Sequence, residues 1–407
     1  MSKAREITYG YRWVIIGVLW SAYIVVFLHR LSIGPLGPFL KDQMGLTSTQ
    51  VGSLMSAAAF GYMISAVPAG LGTDRIGVRW MLVIGEFLGG IFIACMFLTP
   101  SYTWALVIMA LAGFGCGCLT PSTTKGVIEW FPVNERSTMM GIKQTAVNIG
   151  GIVSAATLPV VALSLGWRYG FLFLGILAMA IGIISFVLYK DPPKATTSTS
   201  EQAAMPASVG SLKELFKSRD IWLAYVFGFF FLAVEFGVIA HLVLYLKEAL
   251  LFPVVAAGGL LAMTEAGGAV GKPLGGVISD RLFGSSRKKV LILWGSIACI
   301  MCLLITLFGA GLSWALYAVL IILGLTAIGF GGLHLTLVAE LAGKELVGLA
   351  TGVNVVVSML GNMLGPILFG YIVDTTGSYQ PAWLSMAVLA AISALVVLFV
   401  REERRRI

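Results

Sequence analysis

Charge is scarce in this chain. Only 11 % of its 407 residues are Asp, Glu, Lys or Arg, while 58 % are hydrophobic; a soluble domain carries about a quarter of charged residues, so one soluble core is excluded. Histidine is rarer still, with three copies. No metal-ligand cluster, triad arrangement or phosphate-cradling Gly loop stands in a fitting context, so we expect neither an enzyme nor a cofactor or metal. The five cysteines, Cys95, Cys116, Cys118, Cys299 and Cys302, all fall in apolar stretches, where cysteine acts as a small buried side chain. Cys299-x-x-Cys302 has no His or acid in its stretch to suggest redox chemistry. The amino-terminal region lacks a short apolar segment with a small-residue cleavage site, so the first apolar stretch is expected to remain as an uncleaved helix.

What the chain has in abundance is apolar runs long enough to cross a bilayer, which takes roughly 20 residues. Twelve can be marked, at 13–38, 48–72, 80–99, 103–130, 137–163, 167–189, 221–248, 254–279, 289–310, 314–341, 346–373 and 380–400. The expectation is an all-α integral membrane protein of twelve transmembrane helices in two pseudo-symmetric six-helix bundles. Its parts would be residues 1–189, a cytoplasmic linker 190–219 rich in Thr, Ser, Ala and Gln, and residues 220–407. Apolar spacing with basic neighbours at 211–217 suits a short helix at the membrane surface or a solvated linker helix.

Positive residues in short loops stay on the cytoplasmic side. With the amino terminus inside, cytoplasmic segments hold Lys3, Arg5, Arg12, Arg75, Arg79, Arg136, Lys190, Lys194, Lys213, Lys217, Arg219, Arg281, Arg287, Lys288, Lys289, Lys344, Arg401, Arg404, Arg405 and Arg406, whereas outer loops keep Lys41, Arg168 and Lys247. The net charge of +8 is thus a topology signal rather than a nucleic-acid footprint. Both termini are expected in the cytoplasm, in the cell (inner) membrane.

A turn device occurs twice. Gly70-Leu71-Gly72-Thr73-Asp74-Arg75-Ile76-Gly77-Val78-Arg79 returns as Gly276-Val277-Ile278-Ser279-Asp280-Arg281-Leu282-Phe283-Gly284. Glu129 to Gly141 matches Glu340 to Gly352 at an offset of 211, against 206 for Asp74 and Asp280. Duplicated halves that latch and unlatch suggest alternating access, with substrate near the midplane. Asp74, Arg75, Arg79, Asp280 and Arg281 are therefore candidate gating residues. Glu129 and Glu340 are placed to bond the two turns, and Lys125 forms an i,i+4 pair with Glu129.

These turns, the twelve spans and the central linker resemble the major facilitator superfamily across essentially the whole chain. Within it, Tyr23 to Ile33, Asp42 to Gly52, and Trp130-Phe131-Pro132 with Glu135-Arg136 resemble bacterial organic-anion transporters of the anion:cation symporter kind. Those often carry Asp-Arg in the first span and an acid near a Gly-rich stretch of the fourth; the corresponding places here hold His29-Arg30 and Cys116-Gly117-Cys118. Gly271-Lys272-Pro273-Leu274-Gly275-Gly276 is similar to nitrate/nitrite porters and oxalate:formate exchangers, where an Arg eight residues before the turn Asp contacts the anion. Lys in that place keeps the charge without the bidentate fork.

Ionisable residues inside spans are costly and mark function by default. Lys272 and Lys143 lie roughly 12 Å inside their helices at 1.5 Å per residue; each reads as a substrate ligand or as the partner of an internal acid. Arg30, seven residues beyond Tyr23 on nearly the same face, offers a planar fork for a carboxylate, sulfonate or phosphate. Its alternative is a fixed ion pair with Glu235. Gly34, Pro35 and Pro38 are expected to end that helix. The repeat aligns Lys143 with Asn354, and Asn354, Ser358 and Asn362 form a polar stripe that lines a cavity or bonds a neighbouring helix, as do Gln144 and Asn148. Tyr23, Arg30, Lys143, Gln144, Lys272, His334 and Asn354 are the candidate substrate ligands.

For proton coupling the candidates are Glu235, Glu265 and His29. His241 and His334 also fall in the useful titration range, with a buried hydrogen-bonding role as the alternative. Glu86 has no evident partner. The expected function is proton-coupled uptake of a small organic anion, a mono- or dicarboxylate. The rivals are anion exchange, proton-driven drug efflux and a transporter-like sensor. A Gly-Pro-x-x-Gly-Gly element, common in exporters, is missing from Asn148-Ile149-Gly150-Gly151 and Leu158-Pro159, and no output module accompanies the short tails. The partners expected are the anionic substrate, protons and the lipid bilayer, with the chain acting as a monomer.

Overall fold

The computed structural model describes residues 3–191, 217–312, 314–343 and 346–402. The linker residues 192–216, most of the expected surface helix, Lys344 and the tail residues Arg404, Arg405 and Arg406 lie outside them. Every regular element among the described residues is helical, as long apolar runs require where no water can satisfy the backbone. The order is α1 Lys3–Arg30, α2 Ile33–Met44, α3 Ser48–Ile76, α4 Val78–Cys95, α5 Tyr102–Trp130, α6 Val133–Ser164, α7 Trp167–Leu188, α8 Arg219–Glu248, α9 Val254–Leu282, α10 Arg287–Phe308, α11 Ala315–Ala327, α12 Gly331–Ala342, α13 Val347–Thr376 and α14 Tyr379–Leu398. Short 3-10 turns follow α4 and α10. Among the described residues twelve segments are long and apolar enough to cross a membrane; α1 with α2, and α11 with α12, each make one. Their outer faces carry exposed Val67, Leu163, Ile176 and Leu395, which suits hydrocarbon and not water.

The first span corrects the sequence expectation. Gly34, Pro35 and Pro38 do not end it: α1 stops at Arg30, two residues break the helix, and α2 carries both prolines on to Met44. Pro35 falls in the first turn, where its missing N–H has no intrahelical partner to lose. The chain turns at Gly45, with φ 64°, a left-handed conformation that glycine adopts at little cost. The tenth span is interrupted in the same manner between Ala327 and Gly331.

Contacts divide the described residues into two units, one within 1–46 and 53–195, the other within 47–52 and 196–407. In the first, α4 packs on α5 and α7, and α1 on α6 and α5. In the second, α8 packs on α13, α10 on α14, and α9 on α11. Glycine permits the tightest of these crossings: a Cβ on Gly271 would sit 2.0 Å from the Leu325 carbonyl oxygen, so a methyl group there would force α9 and α11 apart.

Candidate functional site

In the first unit α1, α3, α5 and α6 bring together a group of buried polar side chains. α5 supplies the run Thr120-Pro121-Ser122-Thr123-Thr124 inside an otherwise apolar span. The Thr123 hydroxyl donates to the Leu119 carbonyl at 2.8 Å and the Thr124 hydroxyl to the Thr120 carbonyl at 2.9 Å. With their protons used on their own helix, both oxygens are left as acceptors. Lys143 of α6 donates to them, at 2.9 Å to Thr124 and 3.5 Å to Thr123. Its Nζ also lies 4.3 Å from the Tyr23 ring centre, within cation–π range.

Arg30, at the last position of α1, stands over the Tyr62 ring at 4.5 Å and the Phe27 ring at 5.6 Å. Tyr62 and Thr120 share a hydrogen bond of 2.8 Å, and the Tyr23 ring meets the Phe27 ring edge-on with centroids 5.3 Å apart. Arg30, Tyr62, Thr120, Phe27, Tyr23, Lys143 and Thr124 are therefore one connected cluster. All but Thr120 and Thr124 are at most 8 % exposed. Gln144, the next residue on α6, is exposed and makes none of these contacts. Tyr62 and the threonines escaped sequence reasoning; the signal was a run of hydroxyls in the middle of an apolar span.

His29 is occupied on both ring nitrogens. Nε2 lies 3.3 Å from the Leu174 carbonyl oxygen, which only an N–H can bond, so Nδ1 at 3.4 Å from Cys116 Sγ is the acceptor of the thiol proton. The pair is buried, and in the neutral imidazole this geometry puts the proton on Nε2. Glu86, fully buried, accepts from Ser185 at 3.0 Å and joins α4 to α7.

The second unit has a different charge pattern. Lys272 of α9 is half-buried, and the carboxylates whose charge acts on it are Glu235 of α8 and Glu265 of α9. His334 donates from Nε2 to the Ala224 carbonyl at 3.0 Å, and its ring packs against Phe227 and Phe330. A Cβ on Gly228 would meet both His334 and the Ser358 hydroxyl, so the bare glycine lets these two side chains approach α8. Asn354 Oδ1, Ser358 Oγ and Asn362 Oδ1 are buried and lack a hydrogen-bond partner among the described residues. Buried polar atoms are nearly always bonded, to protein or to water or ligand. His241 bonds the Pro366 carbonyl at 2.9 Å and stacks on Phe369.

The duplicated turns each carry a charge bridge. In the first unit Lys125 bonds Asp74 at 2.7 Å and approaches Glu129 at 3.9 Å. In the second, Arg287 bonds Asp280 at 2.5 Å and Glu340 at 3.3 Å, with Ser279 at 2.9 Å. Glu129 and Glu340 reach the turns through a shared cation: a carboxylate has no proton to give an Asp, so Lys125 or Arg287 spans the two acids. The repeat keeps both acids, but the cation comes from α5 in one unit and from α10 in the other. Arg79 donates twice to the Phe186 carbonyl, at 2.8 and 2.5 Å, tying α4 to the end of α7. Arg75 and Arg281 are exposed.

Two six-helix units with duplicated charged turns, and buried polar clusters inside membrane-crossing helices, define a multi-pass membrane transporter. The chain belongs to the Major Facilitator Superfamily, whose profile it matches over residues 19–361 and 266–407, and it is not an enzyme. It is 26 % identical over 405 residues to a probable sulfoacetate transporter of Cupriavidus necator, covering 96 % of this chain and 94 % of that protein. It is 24 % identical over 394 residues to the hexuronate transporter of Bacillus subtilis, covering 94 % and 93 %. The structure of a bacterial homologue of the human lysosomal transporter Spinster superposes with a TM-score of 0.84 at 18 % identity, covering 98 % of each chain; that likeness shows the fold.

Proposed function

We propose that the chain moves a small organic anion into the cell by alternating access, in symport with protons, with Arg30 and Lys143 holding the anion. The observation that carries this reading is the cluster of Arg30, Tyr62, Thr120, Phe27, Tyr23 and Lys143. Within it Lys143 is a buried cation whose contacts are two hydroxyls and a phenol ring, and a buried charge calls for a partner or a ligand. Relatives named for sulfoacetate and hexuronate transport agree with an anionic substrate. Glu235 and Glu265, acting on Lys272, are the acids assigned to carry protons. Lys272, His334 and Asn354 complete the polar set of the second unit, and Asp74, Asp280 and their bridging cations act in gating. The bias of Lys and Arg to alternate loops supports cytoplasmic termini in the cytoplasmic membrane.

Uptake of labelled sulfoacetate and galacturonate by proteoliposomes, with and without an acid-outside pH gradient, tests the reading. Uptake of one of them, stimulated by the gradient and inhibited by competing organic anions, is expected. Uptake indifferent to both overturns it, and uptake that requires anion on the opposite face replaces symport with exchange.

A further inference from the structure

We propose that the first unit's anion site is a two-point site for a short dianion, one acidic group engaging Arg30 and the second engaging Lys143 beside Thr123 and Thr124. The proposal rests on the organic-anion reading and narrows it to acids with two charged ends: dicarboxylates, or a carboxylate joined to a sulfonate or phosphate.

Lys143 carries the argument. The residue is 3 % exposed, and the contacts of its ammonium are two hydroxyl oxygens and a phenol ring, all neutral. Both hydroxyls are already committed to backbone carbonyls, so they solvate the ammonium without neutralising it. Among the described residues the acid within the spans of this unit, away from the helix ends, is Glu86, which bonds Ser185 between α4 and α7. Lys272 in the second unit is the contrast: a similar ammonium, but with Glu235 and Glu265 acting on it. Among the described residues acids act on half-buried Lys272 and none contacts buried Lys143, and a buried charge without one draws its counter-ion from what binds.

Arg30 is a separate docking point. Its guanidinium stands over Tyr62, whereas Lys143 stands over Tyr23. Tyr62 bonds Thr120 while Lys143 bonds Thr124, about one turn further along α5, so the two cations are set at different levels of that helix. A single small anionic group cannot take the full fork of Arg30 and also displace the hydroxyls from Lys143. A short chain with an acidic group at each end can. Hydroxyls or methylenes between those ends would face Tyr23, Tyr62 and Thr120.

The test is binding to the purified full-length protein of matched pairs: galactarate against galactonate, succinate against butyrate, and sulfoacetate against acetate and methanesulfonate. The variants are Lys143→Gln and Lys143→Arg, each checked for a monodisperse profile and unaltered melting temperature without ligand. A charge-assisted contact translates to about 10- to 100-fold in affinity. Wild type is expected to favour the dianion of each pair by that factor. Lys143→Gln should erase the preference by weakening dianions while leaving monoanions within about threefold, and Lys143→Arg should retain it. Monoanions binding as tightly as dianions overturns the two-point site while leaving the organic-anion reading intact. An equal loss of both classes in Lys143→Gln also overturns it, since Lys143 would then serve the one anionic group. Failure of every anion to bind overturns the organic-anion reading and this proposal with it.

Discussion

The carboxylate of Asp374, near the end of α13, holds Thr49 in the first turn of α3 by two hydrogen bonds, from the backbone N–H at 2.7 Å and from the hydroxyl at 2.5 Å. Its other oxygen accepts the Ser48 N–H at 2.8 Å. Both partners belong to the second unit. The first N–H groups of a helix have no intrahelical acceptor, and a carboxylate there supplies bonds and favourable charge together. Glycine makes room for the contact: a Cβ on Gly370 would lie 2.4 Å from the Ser48 carbonyl oxygen.

Asp374→Ala is therefore expected to lower stability by about 1–2 kcal/mol, the range for losing a helix cap. Asp374→Asn, which keeps an acceptor oxygen but loses the charge, should cost less. Thermal unfolding in detergent measures both. A melting temperature unchanged in Asp374→Ala would show that the bonds hold no free energy.

The two charge bridges predict an asymmetric response to substitution. Arg287 reaches Glu340 through Nε and both Asp280 and Ser279 through Nη1, two donors held in one rigid plane, a geometry an ammonium cannot reproduce. Lys125 uses one nitrogen for everything it touches. Arg287→Lys should thus slow uptake markedly and Lys125→Arg little, while either change shifts stability by roughly 1 kcal/mol or less, because the acids are partly solvated. Initial uptake rates at matched expression check this, and equal sensitivity of the two sites would refute it.

Coupling should separate Glu265 from His29. Leu174 and Cys116 occupy both imidazole nitrogens of His29, whereas Glu265 acts on Lys272. Glu265→Gln is expected to abolish stimulation by a pH gradient while leaving anion binding in place. His29→Gln should keep the stimulation at reduced stability. The measurement is gradient-driven uptake beside equilibrium binding, and loss of stimulation in His29→Gln alone would reverse the assignment.

Glu86 gives a packing prediction. Glu86→Gln preserves an acceptor for Ser185 and should be tolerated, whereas Glu86→Ala strands that hydroxyl and opens a cavity, costing about 1–3 kcal/mol. Thermal unfolding distinguishes the two.

Hydropathy made the twelve spans legible, because each needs an apolar window that little else in a protein requires. The repeat was equally visible, since Asp74 and Asp280, and Glu129 and Glu340, survive as identical letters. Interruptions were not. Leu31 and Ser32 read as ordinary residues beside Pro35 and Pro38, and the prolines drew the helix end to themselves although the structure places them inside α2. The charged turns were read as pairs and proved to be bridges, because Arg287 lies across a loop from Asp280 and nothing in the sequence ties the two. Lys143, Arg30 and Tyr23 stood out by charge or by spacing, but Tyr62, Thr120, Thr123 and Thr124 did not: a hydroxyl in a span reads equally as helix packing, and only the fold shows which ones meet an ammonium. Gln144 shared the signal of Lys143 and yet lies outside the cluster, since adjacent residues on a helix point about 100° apart.

Thr123 and Thr124 hold Lys143 through oxygens whose protons are already spent on the backbone. Such a lysine has partners with or without cargo. Emptying the site leaves that ammonium its hydroxyl partners but no counter-charge, so the unloaded protein keeps an electrostatic cost at this residue that an arriving anion lifts.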